Sequence, residues 1–207
     1  TTLHHLIDVE FLKRAYHDTR KDSAAGVDEV TAEEYVENLD DNLQSLYQRY
    51  KEGNYVAPFV RRIWIDKEDG TKRPIGIPAF EDKILQRAIA MLLSAIYEID
   101  FYGFSYGFRK NRGAHNALKA LRDACYQEKV SVVIDADISK FFDNMPHDRI
   151  REILRLRVND GKIICLIGKW LKAGVVEDGQ VHYPACGSPQ GGVISPLIAN
   201  IFLHHVL

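Results

Sequence analysis

Asp135-Ala136-Asp137-Ile138-Ser139-Lys140-Phe141-Phe142-Asp143 follows directly on the apolar run Val130-Ser131-Val132-Val133-Ile134. That run has the length and β-branched content of a buried strand. On an extended strand, residues two apart share a face. Asp135 and Asp137 therefore point one way, and Ile134, Ala136 and Ile138 the other. Carboxylates are hard oxygen ligands that hold Mg²⁺ together with substrate phosphates. Two such ions can clamp the attacking and leaving oxygens of a phosphoryl transfer. The same spacing also describes a strand end meeting solvent, where acids are ordinary. A second stretch, Gly187-Ser188-Pro189-Gln190-Gly191-Gly192-Val193-Ile194-Ser195-Pro196, sets glycines beside a proline. Glycine lets backbone approach a ligand closely, and the free amides of the helix expected next favour anions. A plain turn entering a helix has the same composition.

Outward from these stretches the periodicity is readable. Thr31-Ala32-Glu33-Glu34 is a capping box, and Tyr35, Leu39, Leu43, Leu46 and Tyr50 follow at helical spacing up to Gly53-Asn54. Arg61 to Lys67 and Lys72 to Ile77 flank Glu68-Asp69-Gly70, a hairpin signal, and Asp178-Gly179 marks a second hairpin between Val175-Val176-Glu177 and Gln180 to Tyr183. A helix is predicted near Glu81 to Glu98, burying Leu85, Ala88, Ile89, Leu92 and Ile96. Another starts near Gly113, burying Ala114, Ala117, Leu118, Leu121 and Cys125. Pro146 suits the first turn of a further helix, Ile163, Ile167 and Trp170 mark one more, and Ser195-Pro196 opens the last.

The chain has 207 residues, 46% hydrophobic and 27% charged. These values support a sizeable core and exclude a disordered class. Its formal net charge of −2 argues, as an average, against a nucleic-acid partner. The average hides an asymmetry. Asp28 to Glu52 holds eight acids and two bases, net −6; Arg109 to Arg122 nets +5; Arg149 to Lys172, with seven bases and two acids, nets +5. Basic stripes on helices are the footprint of phosphate binding, although a solvated face looks the same. Cys125, Cys165 and Cys186 form no CxxC pair, which points to a reduced, intracellular compartment. No apolar run approaches the ~18 residues of a membrane span, and no secretory signal is visible. A cytoplasmic, bacterial location is expected.

Taken in order, these stretches resemble the reverse transcriptases encoded by bacterial group II introns. Ala25-Gly26-Val27-Asp28 is similar to the N-terminal block, and Arg61 to Pro78 to the first core block. Phe104-Ser105-Tyr106-Gly107-Phe108-Arg109, with Arg112 and His115, is similar to the second. Asp135 to Asp143 and Ser188 to Asn200 are similar to the first catalytic block and the Pro-Gln-Gly-Gly block. The resemblance implies an α+β, right-hand polymerase fold with fingers and an incomplete palm. It implies that Asp137 and the Ile138 carbonyl face metal, while Asp135 stands at a variable position. Phe142 would lie under the incoming sugar and bar a 2′-hydroxyl. Lys67 and Arg73 would hold the nucleotide's phosphates, and Gln190 would lie near nucleotide and template. Arg61, Arg62, Arg109, Arg112 and Gly191 would meet RNA or template. Asp143 and His147 would shape the turn into the next helix. Two Mg²⁺ ions, an RNA template, intron RNA, a DNA primer and a dNTP are the implied cofactors and partners.

Some family features are missing. No aromatic-x-Asp-Asp turn follows the Pro-Gln-Gly-Gly block; the one Asp-Asp pair, Asp40-Asp41, lies in the acidic segment. Gly113 stands where relatives often carry a Ser cap, and Ser94-Ala95 replaces a common Glu-Pro. The final helix reaches Leu207 with no Gly, Asn or basic cap. The expectation is therefore a chain cut within the palm and inactive alone, its parent a polymerase or an RNA-binding maturase. The expected division is 1–130 N-terminal extension and fingers, 131–143 palm, 144–187 a return to the fingers, and 188–207 palm. Leu197, Ile201, Phe202 and Val206 would form an apolar surface for a homodimer.

Overall fold

The computed structural model describes residues 2–68, 70–188 and 191–206. Helix α1 (Val9–Asp18) starts at Asp8, whose side chain accepts from the Phe11 amide at 2.7 Å. The capping box forms at Thr31, with Glu34 reaching back to the Thr31 amide at 2.8 Å. The single helix predicted from there is two: α2 (Ala32–Val36) and α3 (Leu39–Glu52). Asn38 leaves the helical region between them. Asn42 Nδ2 satisfies the freed Tyr35 carbonyl at 2.9 Å, so the break strands no acceptor. Gly53 closes α3 in the left-handed region at φ 80°, the conformation glycine adopts without strain.

Strands β1 (Val60–Asp66) and β2 (Lys72–Ile77) pair antiparallel, with Arg61 opposite Ile77 and Asp66 opposite Lys72. Helix α4 (Phe80–Tyr97) follows and is the centre of the core: Ile84, Leu85, Ala88, Ile89 and Leu93 are fully enclosed between α1, α3 and the later helices. After α5 (Ala114–Gln127) and the short α6 (Phe141–Asn144) come α7 (His147–Arg155) and α8 (Gly161–Leu171). Pro146 stands at the cap before α7 rather than inside its first turn. β3 (Val175–Glu177) then lies parallel to β1, and β4 (Gln180–His182) returns antiparallel, giving the order β2-β1-β3-β4. Asp178 and Gly179 both have positive φ, 48° and 77°, as a tight two-residue turn requires. Helix α9 (Ser195–Val206) packs Ile198 and Ile201 into the same core.

Three expectations fail. Val130 to Ile134 joins no sheet, and its side chains face solvent; Ile134 is 87% exposed. A strand needs a hydrogen-bonded neighbour, and all four strands of the sheet lie elsewhere in the chain. Helix α5 has the predicted amphipathic spacing, yet none of its residues is buried, because no described element covers Leu118 and Leu121. The apolar surface expected on the last helix is divided. Ile201 is in the core, Leu197 and Phe202 are half-buried against it, and only Val206 is exposed. No described helix is long and apolar enough to cross a membrane.

Candidate active site

The segment that carries Asp137 is held by its C-terminal end. Lys140 turns the chain into α6 with φ 50°, and its carbonyl accepts from the Asp143 and Asn144 amides at 3.0 and 3.1 Å. Phe141 and Phe142 fix this turn by packing half-buried against the core, their rings 5.6 Å apart. Gly187 and Ser188 then grip the same turn. Ser188 donates its amide to the Phe142 carbonyl at 2.8 Å, and Gly187 to Met145 at 2.8 Å. The buried His147 donates Nε2–H to the Gly187 carbonyl at 2.7 Å, which fixes its tautomer. Gly187 has φ +87°, and a Cβ there would meet the Asp143 oxygen at 2.7 Å. His147 thus ties α7 to Gly187, and Asp143 contributes its backbone amide and carbonyl to the turn.

The other side of the loop leans on the first hairpin. Gly191 crosses β2 with φ +109°, and a Cβ on it would stand 2.2 Å from the Gly76 oxygen. The hairpin end is closed by Lys67 N–H to the Thr71 carbonyl at 2.8 Å. Between hairpin and α6 lies an open cleft of about 730 Å³. Asp137, Ile138 and Phe142 line one wall; Lys67, Lys72 and Arg73 line the other; Lys140 and Asp143 stand at its turn. Five residues chosen for the nucleotide site thus converge from segments some 70 positions apart. Lys72 and Lys140 were not foreseen, although Lys72 sits beside Arg73 in the sequence. Gln190 lies outside the described residues.

Such a cleft has a definite chemistry. The Asp137 and Asp143 carboxylates are hard oxygens of the kind that suits a divalent cation keeping water and phosphate as its other ligands. Three cations opposite them suit a polyphosphate. Among the described residues no group of three or more His, Cys, Asp or Glu side chains comes together that could hold a metal ion.

The remaining predicted residues scatter. Arg62 pairs with Glu177 at 3.3 Å and borders a smaller neighbouring cavity of about 300 Å³. Arg61 keeps a buried Nε without a partner among the described residues. Arg112 donates to the Gly103 carbonyl at 2.5 Å and lies over Tyr106, in a shallow polar depression beside α5. Arg109 does not face solvent at all. Its side chain is 3% exposed, and its guanidinium donates to Glu98 at 2.6 Å and to the Tyr102 and Ser105 carbonyls at 2.9 and 2.8 Å. Its donors are spent on closing its own loop, so it is corrected from a template contact to a structural residue.

Sequence reasoning also missed Asp82. It is buried on α4 and accepts from Tyr55 Oη, from Trp170 Nε1 at 2.6 Å and from Gln86 Nε2 at 2.8 Å. Gln86 Oε1 in turn accepts the Ile194 amide at 3.3 Å, which ties α4 to the Pro-Gln-Gly-Gly loop. Burial pushes the Asp82 carboxyl up to about 6 despite these three donors. The signal was an acid three residues before Leu85, on the apolar stripe of α4.

Residues 65–207 match the family profile described as reverse transcriptase (RNA-dependent DNA polymerase). The chain is 39% identical over 185 residues to the group II intron-encoded protein LtrA of Lactococcus lactis subsp. cremoris, covering 89% of this chain and 30% of that protein. It is 38% identical over 182 residues to protein YkfC of Escherichia coli K12, covering 86% of this chain and 48% of that one. It therefore spans a third to a half of these relatives' length. A solved Cas6-RT-Cas1–Cas2 complex shares the fold over 99% of this chain and 34% of its own, with a TM-score of 0.63 at 22% identity. The chain belongs to the reverse transcriptase family.

Proposed function

We propose that the protein carrying this chain is an RNA-directed DNA polymerase, adding dNTPs to a primer 3′-hydroxyl on an RNA template. The observation that carries the reading is the single cleft shared by Asp137, Ile138, Lys67, Arg73 and Phe142. The primer oxygen forms a bond to the α-phosphorus of the dNTP as the bond to the bridging oxygen breaks and pyrophosphate leaves. The Asp137 carboxylate and Ile138 carbonyl would hold Mg²⁺, which when bound lowers the cost of charge on the attacking and leaving oxygens. Lys67 and Arg73 bind and orient the triphosphate. The half-buried Phe142 ring cannot recede into the packed core, so it opposes a 2′-hydroxyl on the sugar. In this reading residues 131–143 and 188–207 are palm and the remainder N-terminal extension and fingers, and the protein works inside the cell. Primer extension by the intact protein tests it. Lys67→Ala and Arg73→Ala should raise the KM for dNTP roughly 10–100-fold, the loss of a hydrogen bond to a charged group; an unchanged KM in both would overturn the phosphate-holding role.

A second reading makes intron RNA the main partner, with splicing assistance as the main role. It is favoured by the likeness to LtrA, a group II intron-encoded protein. Asp137→Ala separates the two, since splicing assistance would survive it and extension would not.

A further inference from the structure

The +5 charge of Arg149 to Lys172 does not spread evenly over the surface. Arg149 pairs outward with Glu152 at 2.7 Å, Arg157 reaches Asp100 at 2.8 Å, and Lys162 caps the Lys51 carbonyl at 3.0 Å. The other four converge. Arg151 and Arg155, one turn apart on α7, and Lys169 and Lys172, at the end of α8, line one groove of about 680 Å³. Its floor is apolar, built from Val158 and Ile164, and its far rim carries Phe59 and Tyr183. These rings meet edge to face at 6.4 Å, and Tyr183 is 70% exposed.

Charge in the groove is one-sided. Asp160 is the single acid among its lining residues. Arg151 is ion-paired to Asp148 and Lys169 Nζ donates to the Tyr55 carbonyl at 2.6 Å, so Arg155 and Lys172 are the groove cations left for a ligand among the described residues. Both Asp160 oxygens are already occupied. One caps α8 through Lys162 N–H and Ile163 N–H, and the other accepts from Leu3 and His4. Arg155 and Lys172 are exposed and make no hydrogen bond or ion pair with the described residues. The groove shares no residue with the catalytic cleft. The whole chain carries −2, so this positive field is local.

Cations along a furrow with aromatic rings at its edge suit a flexible polyanion with flat faces. A polynucleotide single strand sets phosphates against the cations and stacks bases on the rings. An acidic peptide would use the cations and leave the rings idle. A duplex keeps its bases paired and stacked inside, so it too would leave the rings idle. We propose that this groove binds single-stranded nucleic acid at a site separate from the catalytic cleft, with Arg155 and Lys172 on phosphates and Tyr183 on a base.

The test measures anisotropy of fluorescein-labelled 12-mers, oligo-U and oligo-dT, with the 207-residue chain across a salt series. Arg155→Glu/Lys172→Glu should weaken binding at least tenfold. It should also reduce the slope of log K against log salt by roughly 1.4, two contacts at about 0.7 each for a single strand. Tyr183→Ala should weaken binding at least fivefold. Arg149→Glu/Lys162→Glu makes the same charge change on the same two helices outside the groove, and binding should stay within threefold. All the altered side chains are exposed, and matched melting temperatures confirm folding. A 5-iodouridine strand should crosslink to Tyr183. Equal loss from both charge pairs, no loss from the groove pair, or displacement of the strand by oligo-glutamate at equal concentration would overturn the proposal. Tighter binding of U or of dT assigns the strand as RNA or DNA. Asp137→Ala should leave this binding intact, which separates it from the polymerase reading.

Discussion

Gly191 passes so close to Gly76 that the two backbones leave no room for a side chain: a Cβ on Gly191 would sit 2.2 Å from the Gly76 oxygen. This contact sets Gly191 against β2, the strand whose other end carries Lys72 and Arg73 into the cleft. Gly191→Ala should cost roughly 1–3 kcal/mol from its +109° φ alone, and the clash adds to that because the obstacle is backbone. Thermal unfolding should show the loss. Gly103→Ala, where nothing lies within 4 Å, should differ little from the parent.

Asp82 makes stability depend on pH. Its carboxyl titrates near 6 in the folded chain against 3.8 in the unfolded one, with burial the main cause. Between those values the native state keeps a proton that the unfolded state has released. This contribution therefore favours folding most below about 3.8, weakens as pH rises to about 6 and is constant above. Asp82→Asn should flatten that part of the curve of unfolding free energy against pH, measured by urea titration at each pH.

Asp160 acts in the opposite direction. Burial works against its charge, but the amides of Leu3, His4 and Ile163 and the His4 ring outweigh it and hold the carboxyl well below its usual range. Its stabilisation is present above about 3.8 and lost as the pH falls through the lowered folded value. Asp160→Ala removes the α8 cap and the tie to the N-terminal segment. The expected cost is roughly 2–3 kcal/mol, with faster amide exchange at Leu3, His4 and Ile163.

Arg109→Ala should behave as a stability variant. Loss of its donors to Glu98, Tyr102 and Ser105 should cost roughly 1–3 kcal/mol. Affinity for RNA should be unchanged at temperatures where both proteins are folded. Arg109→Lys should recover only part of the stability, because one ammonium cannot replace the three-way fork.

What was legible in the sequence is what local chemistry dictates. The Thr31 cap, the Gly53 stop and the Asp178-Gly179 turn each need only a few neighbouring residues, and each stands where it was read. The cleft was legible by another route, through motifs whose order implied that Lys67, Arg73, Asp137 and Phe142 would meet. Arg109 was misread because a cation in a +5 stretch looks solvated until Glu98, eleven residues earlier, is known to close on it. Asp82 was missed because two of its three donors, Tyr55 and Trp170, lie 27 and 88 residues away in the sequence. The Val130 to Ile134 strand was overcalled, since apolar residues specify a willingness to pair and not the partner.

The account turns on Asp137. Single-nucleotide primer extension on an RNA template, by the intact protein and its Asp137→Ala variant, tests it most directly. Equilibrium binding of the same primer–template should be measured beside it. The account predicts extension reduced at least about a thousandfold, a transition-state loss of about 4 kcal/mol, with binding changed less than threefold. Extension by Asp137→Ala at a rate near that of the parent would contradict it.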